Sequence, residues 1–490
     1  MKDHAETYDL VVIGGGPAGS ALATLVAMQG HKVLLLEKEQ FPRHQIGESL
    51  LPATIHGICP LLGVSEEIKN AGFMRKLGGT FRWGTNTKPW TFYFSLSSKM
   101  AGPTSYAYQV ERSKFDAILL NNARRKGVEV RERTSVTNLL EESGRIVGVR
   151  AADDSGKAFE ARGRYVADTS GNQSRTGERI GERIYSNFFQ NVALYGYYEG
   201  GKRLPAPNNG NILCASFDRG WFWYIPLSET LTSVGAVVGR EHVNWQEQTQ
   251  QQAMDEYIAA CPTISEYLKG ANRVTEGQYG KLRVRKDYSY CCTRFWAPGV
   301  VLAGDAACFI DPVFSSGVHL ATYSAMLAAR SINSCLRGTV DEDKAFKEFE
   351  MRYRREYANF YQFLVAFYNL EQDENSYFWS ARKVLGSEEA ANEAFVRLVG
   401  GIGTSGEPLF GDSNQLFGTL NAVCDSFQRA SPAPGEFDQS KLDRRFMTNL
   451  MHEGMQLQLQ NAAPDMLSKT PFWSSGLVPS LDGSQWEAPQ

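Results

Sequence analysis

The segment Gly14-Gly15-Gly16-Pro17-Ala18-Gly19 lies between a β-rich run, Tyr8–Ile13, and a helical stretch ending at Gly30. A second apolar run, Lys32–Leu36, closes on Glu37. Strand, G-x-G-x-x-G, helix, strand and acid together describe a dinucleotide site. The glycines permit a tight turn and close backbone approach, the helix N-terminus faces a pyrophosphate, and the carboxylate can bind a ribose hydroxyl pair. This spacing predicts cofactor contacts at Gly14, Gly16, Gly19 and Glu37. Gly401-Ile402-Gly403-Thr404-Ser405-Gly406 repeats the glycine pattern, but helical text precedes it and Pro408 follows. It reads as a loop, which leaves one dinucleotide site and no built-in NAD(P)H oxidation.

Other residues invite chemistry by type and setting. Val301–Ala307 reads as a strand ending in Gly304-Asp305, and Gln109-Val110-Glu111-Arg112 leads into an amphipathic helix. A carboxylate at a strand end can hold a hydroxyl and an arginine can pair with phosphate; taken alone, such an Asp is more often a helix N-cap and such an Arg a surface residue. Trp221-Phe222-Trp223-Tyr224-Ile225-Pro226 alternates, so that Trp221, Trp223 and Ile225 share one face of a strand. Lys76 sits in a mostly apolar stretch just before Gly78-Gly79, with Arg75 as the rival cation. An amine in such a setting has a lowered pKa and more nucleophilic character. Arg43 and Ile46-Gly47-Glu48-Ser49 form a further segment, in which Glu48 also reads as a helix cap. In Asp311-Pro312-Val313-Phe314-Ser315-Ser316-Gly317-Val318-His319, the backbone N–H groups of Ser316 and Gly317 can form an anion nest; the alternative is that they only approach the bound dinucleotide. His319 reads as a packing residue.

Together these motifs resemble the FAD-dependent class A monooxygenase and halogenase superfamily, and the W-x-W-x-I-P string resembles the signature of flavin-dependent halogenases. The resemblance runs nearly full length. It is nearest to halogenases of pyrrole-2-carboxyl groups thioester-linked to a peptidyl carrier protein, with phenol halogenases next. It implies FAD, used as FADH2 from a separate flavin reductase, and chloride or bromide as co-substrate. It implies cofactor contacts at Gly14, Gly16, Ala18, Gly19, Glu37, Lys38, Arg43, Ile46, Gly47, Glu48, Ser49, Arg112, Val136, Asp305, Pro312, Gly317 and Val318. Halide falls to Ser316 and Gly317. Trp221 and Trp223 would keep organic substrate from the flavin. Lys76 becomes the catalytic lysine, receiving hypohalous acid as a haloamine or by hydrogen bonding. Phe314 stands where tryptophan halogenases carry a glutamate, which argues against free tryptophan and for an electron-rich ring such as pyrrole or phenol. The implied activity is halogenation of a carrier-bound pyrrolyl group; the alternatives are a halogenase of a free phenol and an FAD-dependent aromatic hydroxylase.

The elements that position these residues follow from the pattern. The expected fold is α/β: a Rossmann-like FAD-binding domain, discontinuous over 1–180 and 270–335, with 80–108 feeding a substrate sheet over 181–269. A C-terminal helical region spans 336–473 and a frayed tail 474–490. Phe346, Phe349, Tyr353, Tyr357, Phe360, Leu364 and Phe367 recur at helical steps, which reads as a helix packed on the body rather than a ligand box.

Over 490 residues, 51 basic and 54 acidic side chains give a net charge of −3, which excludes a broadly basic nucleic-acid binder. The eight cysteines form no C-x-x-C pair, which reads as reduced thiols in a cytoplasmic protein without a structural metal. Leu10–Met28 is uncharged and long enough to span a bilayer, but the glycine motif inside it accounts for it better, so no membrane partner is expected. A homodimer is compatible with the sequence. Lys281, Arg283, Arg285 and Lys286 are candidates for a basic carrier-docking face, or for one solvated face of a strand.

Overall fold

The computed structural model describes residues 6–83, 89–96, 103–174, 176–243, 249–369, 471 and 475–489. The Gly401–Gly406 motif and most of the expected C-terminal helical region lie outside them.

Two sheets carry the site. The first is eight-stranded. Glu6–Ile13 pairs in parallel with Val33–Leu36 on one side and Ala158–Asp168 on the other, and Val300–Leu302 adds in parallel to Ala158–Asp168. Strands covered on both faces read as continuous apolar runs, and Leu10, Val11 and Val12 are fully buried. The helix Pro17–Ala27 follows the first strand with Pro17 in its first turn, where a missing N–H costs nothing. It packs on the helix Gly317–Arg337, which in turn packs on Glu342–Asn369. Among the described residues no helix is long and apolar enough to cross a membrane.

The second sheet is nine-stranded and centres on Arg183–Glu199, Leu231–Gly239 and Gly220–Pro226; Gly78–Arg82 and Trp90–Tyr93 lie at one edge. Its other edge corrects the expected boundary at 270. Arg283–Cys292 runs antiparallel to Arg183–Glu199 from Arg283 opposite Tyr195 to Cys292 opposite Arg183, and Cys308–Phe309 pairs beyond it. That long-range register puts both in the substrate sheet, inside a span assigned to the FAD domain.

The tail differs too. Val478–Pro479 and Trp486–Glu487 pair as a small hairpin, and Trp486 is 1% exposed. Its indole Nε1 donates to Ser331 Oγ at 2.8 Å, and the Arg330 and Arg352 guanidiniums lie about 5 Å from its ring. Such an anchor buries a large apolar surface with its polar edge satisfied, which outweighs the entropy that would fray a terminus.

The aromatic stripe is buried along Glu342–Asn369. Its hydroxyls reach both sheets: Tyr353 donates to Gly304 O, just past the first sheet's Val300–Leu302, and Tyr357 to Phe309 O in the second. Its far end, Phe367 and Tyr368, reaches the site described next.

Candidate active site

A cavity of about 390 Å³ runs from the glycine turn to the strand Gly220–Pro226. At one end Gly14 takes φ +99°, and a Cβ there would stand 2.8 Å from Thr169 O. A Cβ on Gly19 would lie 1.9 Å from Gly14 O, so this glycine serves helix–strand approach rather than lining the cavity. Glu37 is 5% exposed; its Oε2 accepts from Gly15 N and its Oε1 from Glu39 N. Lys38 Nζ donates to Gln173 Oε1 at 2.8 Å.

Further along, Asp116 gathers two arginines. Arg112 Nε and Nη2 donate to its carboxylate at 2.8 and 2.9 Å, and Arg43 Nη1 donates at 3.0 Å. Arg112 Nη1 also donates to Ile46 O, fixing the loop in which Gly47 takes φ +98°. Asp305 is pushed above the usual carboxylate range by burial, which Arg285 and Arg112 partly offset. Cavity lining is thus shared by Gly14, Gly16, Ala18, Glu37, Lys38, Arg43, Ile46, Gly47, Glu48, Ser49, Arg112, Asp305, Pro312, Gly317 and Val318. Val136 is not among the lining residues; it sits on the strand Thr134–Glu142 opposite Ala151. These donors fit an FAD: a helix N-terminus and open glycine for the pyrophosphate, arginines near its charge, and a cavity long enough to continue to the indoles.

At that far end, Ser315 takes φ 60° and the helix Gly317–Arg337 begins. Ser316 is fully buried, and its Oγ has no hydrogen-bond partner among the described residues. Among the described residues, nothing beyond Gly317's chain neighbours and its own helix backbone lies within 4 Å of a Cβ built there. An orphaned hydroxyl and free first-turn N–H groups suit an anion. His319, two residues on, is paired instead with buried Glu356 at 2.9 Å.

Trp221, Trp223 and Ile225 face the cavity, whereas Phe222 and Tyr224 pack into a separate core on the other face of the sheet. Each indole is fixed by its nitrogen. Trp221 Nε1 donates to Tyr368 OH at 2.6 Å, Tyr368 donates to Asp311 Oδ2 at 2.8 Å, and Asn191 Nδ2 donates to the same oxygen. Trp223 Nε1 donates to Ser233 Oγ at 3.2 Å. Beyond Trp221 lies an aromatic compartment. Trp83 is 6.4 Å from Trp221 and 4.6 Å from Phe367, and Phe314 is 4.7 Å from Phe367.

Lys76 is the buried member of Met74–Lys76, 2% exposed, whereas Arg75 is exposed with its guanidinium 4.0 Å from the Tyr106 ring. Lys76 Nζ donates to Ser49 Oγ at 2.8 Å and Leu50 O at 3.0 Å, with the Phe94 ring 5.6 Å away. Burial lowers its pKa to about 7. Lys76 does not line the cavity, but Ser49 does, so one hydroxyl touches both places.

Sequence reasoning missed several positions at this site. Asp311, Asn191 and Tyr368 lie far apart in the chain and meet only through the fold. Thr169–Gln173 lines the cavity at the end of Ala158–Asp168. The strand-end logic used for Gly304-Asp305 would have found it. Arg285 also lines the cavity, with its guanidinium 3.7 Å from Asp305, so the proposed basic docking face loses that member to the cofactor site.

The profile of the family described as tryptophan halogenase matches residues 9–103 and 96–420. A tryptophan 2-halogenase of Chondromyces crocatus is 34% identical over 406 residues, 80% of this chain and 75% of that protein. A 1H-pyrrole-2-carbonyl-[peptidyl-carrier protein] chlorinase of Pseudomonas fluorescens is 30% identical over 392 residues, 76% of this chain and 85% of that one. Among solved structures, the myxobacterial chondrochloren halogenase CndH, an FAD-dependent halogenase, is 55% identical; it covers 98% of this chain and 100% of its own at a TM-score of 0.78.

Proposed function

The chain belongs to the tryptophan halogenase family of flavin-dependent halogenases, which act on aromatic substrates with FADH2 and halide, and on that premise we propose that it halogenates a pyrrolyl group thioester-linked to a peptidyl carrier protein. The observation that carries the finer reading is Phe314, 7% exposed against Phe81 and Phe367 where a second catalytic carboxylate would otherwise help the lysine. Without that carboxylate the ring itself must be electron-rich. Similarity to the pyrrolyl-carrier chlorinase supports such a ring.

When bound in its reduced form, the flavin would give two electrons to O2 while halide gives two more, which yields hypohalous acid, HOX, and water. A separate flavin reductase supplies it as FADH2. The protein's part is placement. The backbone N–H groups of Ser316 and Gly317 hold halide at the helix N-terminus, where Gly317 lines the cavity. Trp221 and Trp223 keep the acceptor ring off the cofactor. Lys76, anchored by Ser49 and Leu50, holds HOX toward the ring through its remaining position. Halogen then replaces a ring hydrogen and water leaves: ArH + HOX → ArX + H2O. Near its pKa the amine has both a donor and a lone pair to offer, which is the state either a haloamine or a hydrogen-bonded HOX requires.

Intact-protein mass spectrometry tests the acceptor. Enzyme, reductase, FAD and either chloride or bromide are incubated with pyrrolyl-carrier, hydroxyphenyl-carrier, free phenol or free tryptophan. The pyrrolyl-carrier should gain a halogen isotope pattern, and omitting the reductase should abolish it. Halogenation of a free acceptor with the pyrrolyl-carrier untouched overturns the carrier reading. A gain of one oxygen instead of halogen points to a hydroxylase.

A further inference from the structure

Oxidation of halide consumes an acid equivalent: FADH2 + O2 + X⁻ + H⁺ → FAD + HOX + H2O. That proton must reach the inner part of the cavity, where Trp221 and Trp223 are 1% and 5% exposed. The structure holds a chain of groups suited to bring it in, none of which has a proton-transfer role in the scheme above.

Glu48 is 1% exposed and lines the cavity. Tyr197 OH donates to its Oε1 at 2.9 Å. His44 Nε2 stands 2.7 Å from the same Tyr197 hydroxyl. Because that hydroxyl gives its hydrogen to Glu48, its oxygen accepts from His44, which places a proton on His44 Nε2. His44 is half-buried and also lines the cavity, so the chain leads from a partly wetted imidazole to a dry carboxyl. Two aromatic rings wall it. Tyr195 stacks on His44 at 6.2 Å, and Tyr279 lies 6.2 Å from His44 and 4.2 Å from Tyr197.

We propose that His44, Tyr197 and Glu48 form a proton relay that delivers, from the Glu48 carboxyl, the proton consumed when halide is oxidised. Glu48 releases the proton from Oε2 into the cavity. Tyr197 passes its hydrogen to Oε1 and takes one from His44 Nε2, while His44 regains one at Nδ1 from water. One proton enters as one leaves, and no group keeps a net charge. The inference rests on the halide oxidation of the family and not on the identity of the acceptor ring.

The charges facing the relay fit this use. Burial raises Glu48 to about 7, partly offset by the Ser233 and Tyr197 hydroxyls and Arg112, with Glu111 adding to the rise. Burial first, then Arg283, Arg112 and Arg43, lower His44 to about 4. A carboxyl half-protonated at neutral pH is a proton store, and an imidazole that stays neutral is a conduit rather than a competing cation. Burial, followed by Glu48 and Tyr195, holds Tyr197 well above its ordinary value, so it moves protons without becoming a phenolate.

Two measurements test the relay. Difference infrared spectroscopy of the ligand-free chain should show a carboxylic-acid band that disappears with a midpoint near pH 7. That band should be absent in Glu48→Gln and displaced in Tyr197→Phe. Separately, HOX caught by a soluble trap should fall about 10²-fold in either variant. FAD affinity should stay within about twofold in Tyr197→Phe, because Tyr197 does not line the cavity and the change alters neither the glycine turn nor the arginines. The wild-type HOX rate should decline as pH rises through about 7, where Glu48 gives up its proton, and the decline should vanish in Glu48→Gln. Tyr197→Phe keeps the ring packed against Tyr279 and so guards against misfolding. Wild-type HOX output alongside an indifferent Tyr197→Phe overturns the relay alone. No HOX from the wild type overturns the halide oxidation on which it rests.

Discussion

The cofactor cavity and the Lys76 compartment bury cations to the same depth with opposite results. Arg112 is 7% exposed and meets Asp116 through two hydrogen bonds, so its charge is matched at once. Lys76 is 2% exposed and donates to two neutral oxygens, Ser49 Oγ and Leu50 O. A matched charge makes a fixed binding group. An unmatched one loses its proton near neutrality and becomes reactive. The contrast teaches that counter-charge, rather than burial, separates the holding of the cofactor from the chemistry on the acceptor.

The largest effect should come from Lys76→Met, which removes the unmatched cation and keeps the bulk. Halogenated product should fall by about 10²–10⁴-fold while trapped HOX persists. The same variant should be more stable. The folded pKa of about 7 lies below the unfolded value, so the desolvation cost is fully present below pH 7 and fades as pH rises toward 10.5. At one pKa unit per 1.36 kcal/mol the cost is on the order of a few kcal/mol. Thermal unfolding at pH 6 and pH 9 should show the gain shrinking at the higher pH. A loss of stability at pH 6, or intact halogenation, would break the contrast.

A smaller effect should follow on the matched side. Alanine at Gly47 would need the left-handed φ of +98° and would put its Cβ 2.9 Å from Arg112 Nη1. Backbone strain costs about 1–3 kcal/mol, so FAD affinity should weaken by roughly 5–150-fold as the guanidinium is displaced. The midpoint of Lys76 titration should stay put. A shift in both would mean that the two sites are electrostatically one.

How far the sequence reveals this division depends on range. The glycine turn, Glu37 and the flanking strands lie within one βαβ unit, and local spacing encodes them. The W-x-W alternation is equally local and correctly puts two indoles on one face. Burial of Lys76 over Arg75 follows from alternation on a strand of three residues, too short a run to signal by itself. What escaped is long-range. His44 and Tyr197 are 153 residues apart, and Glu48 and Tyr197 are 149 apart. Arg283–Cys292 joins its sheet through a partner a hundred positions earlier in the chain, and no periodicity tells which sheet a strand joins. The tail looked frayed because polar, glycine-bearing text surrounds the one residue, Trp486, that anchors it.

The smallest predicted effect concerns the boundary between the two regions. Trp221→Phe keeps an aromatic plate on the cavity side and deletes the Nε1 donor to Tyr368. Tyr368 still donates to Asp311, so only one acceptor site loses its partner, at about 0.5–1.5 kcal/mol. Denaturant midpoints should register that loss, and mass spectra should show halogenated product alone. If separation depended on the hydrogen bond, the phenyl ring would swing and oxygen-bearing product would accompany the halide. If it depends on volume, as packing against Trp83 and Trp223 indicates, only a cut to alanine opens the boundary. The pair of variants therefore distinguishes a wall made by bulk from one made by the Trp221–Tyr368–Asp311 chain.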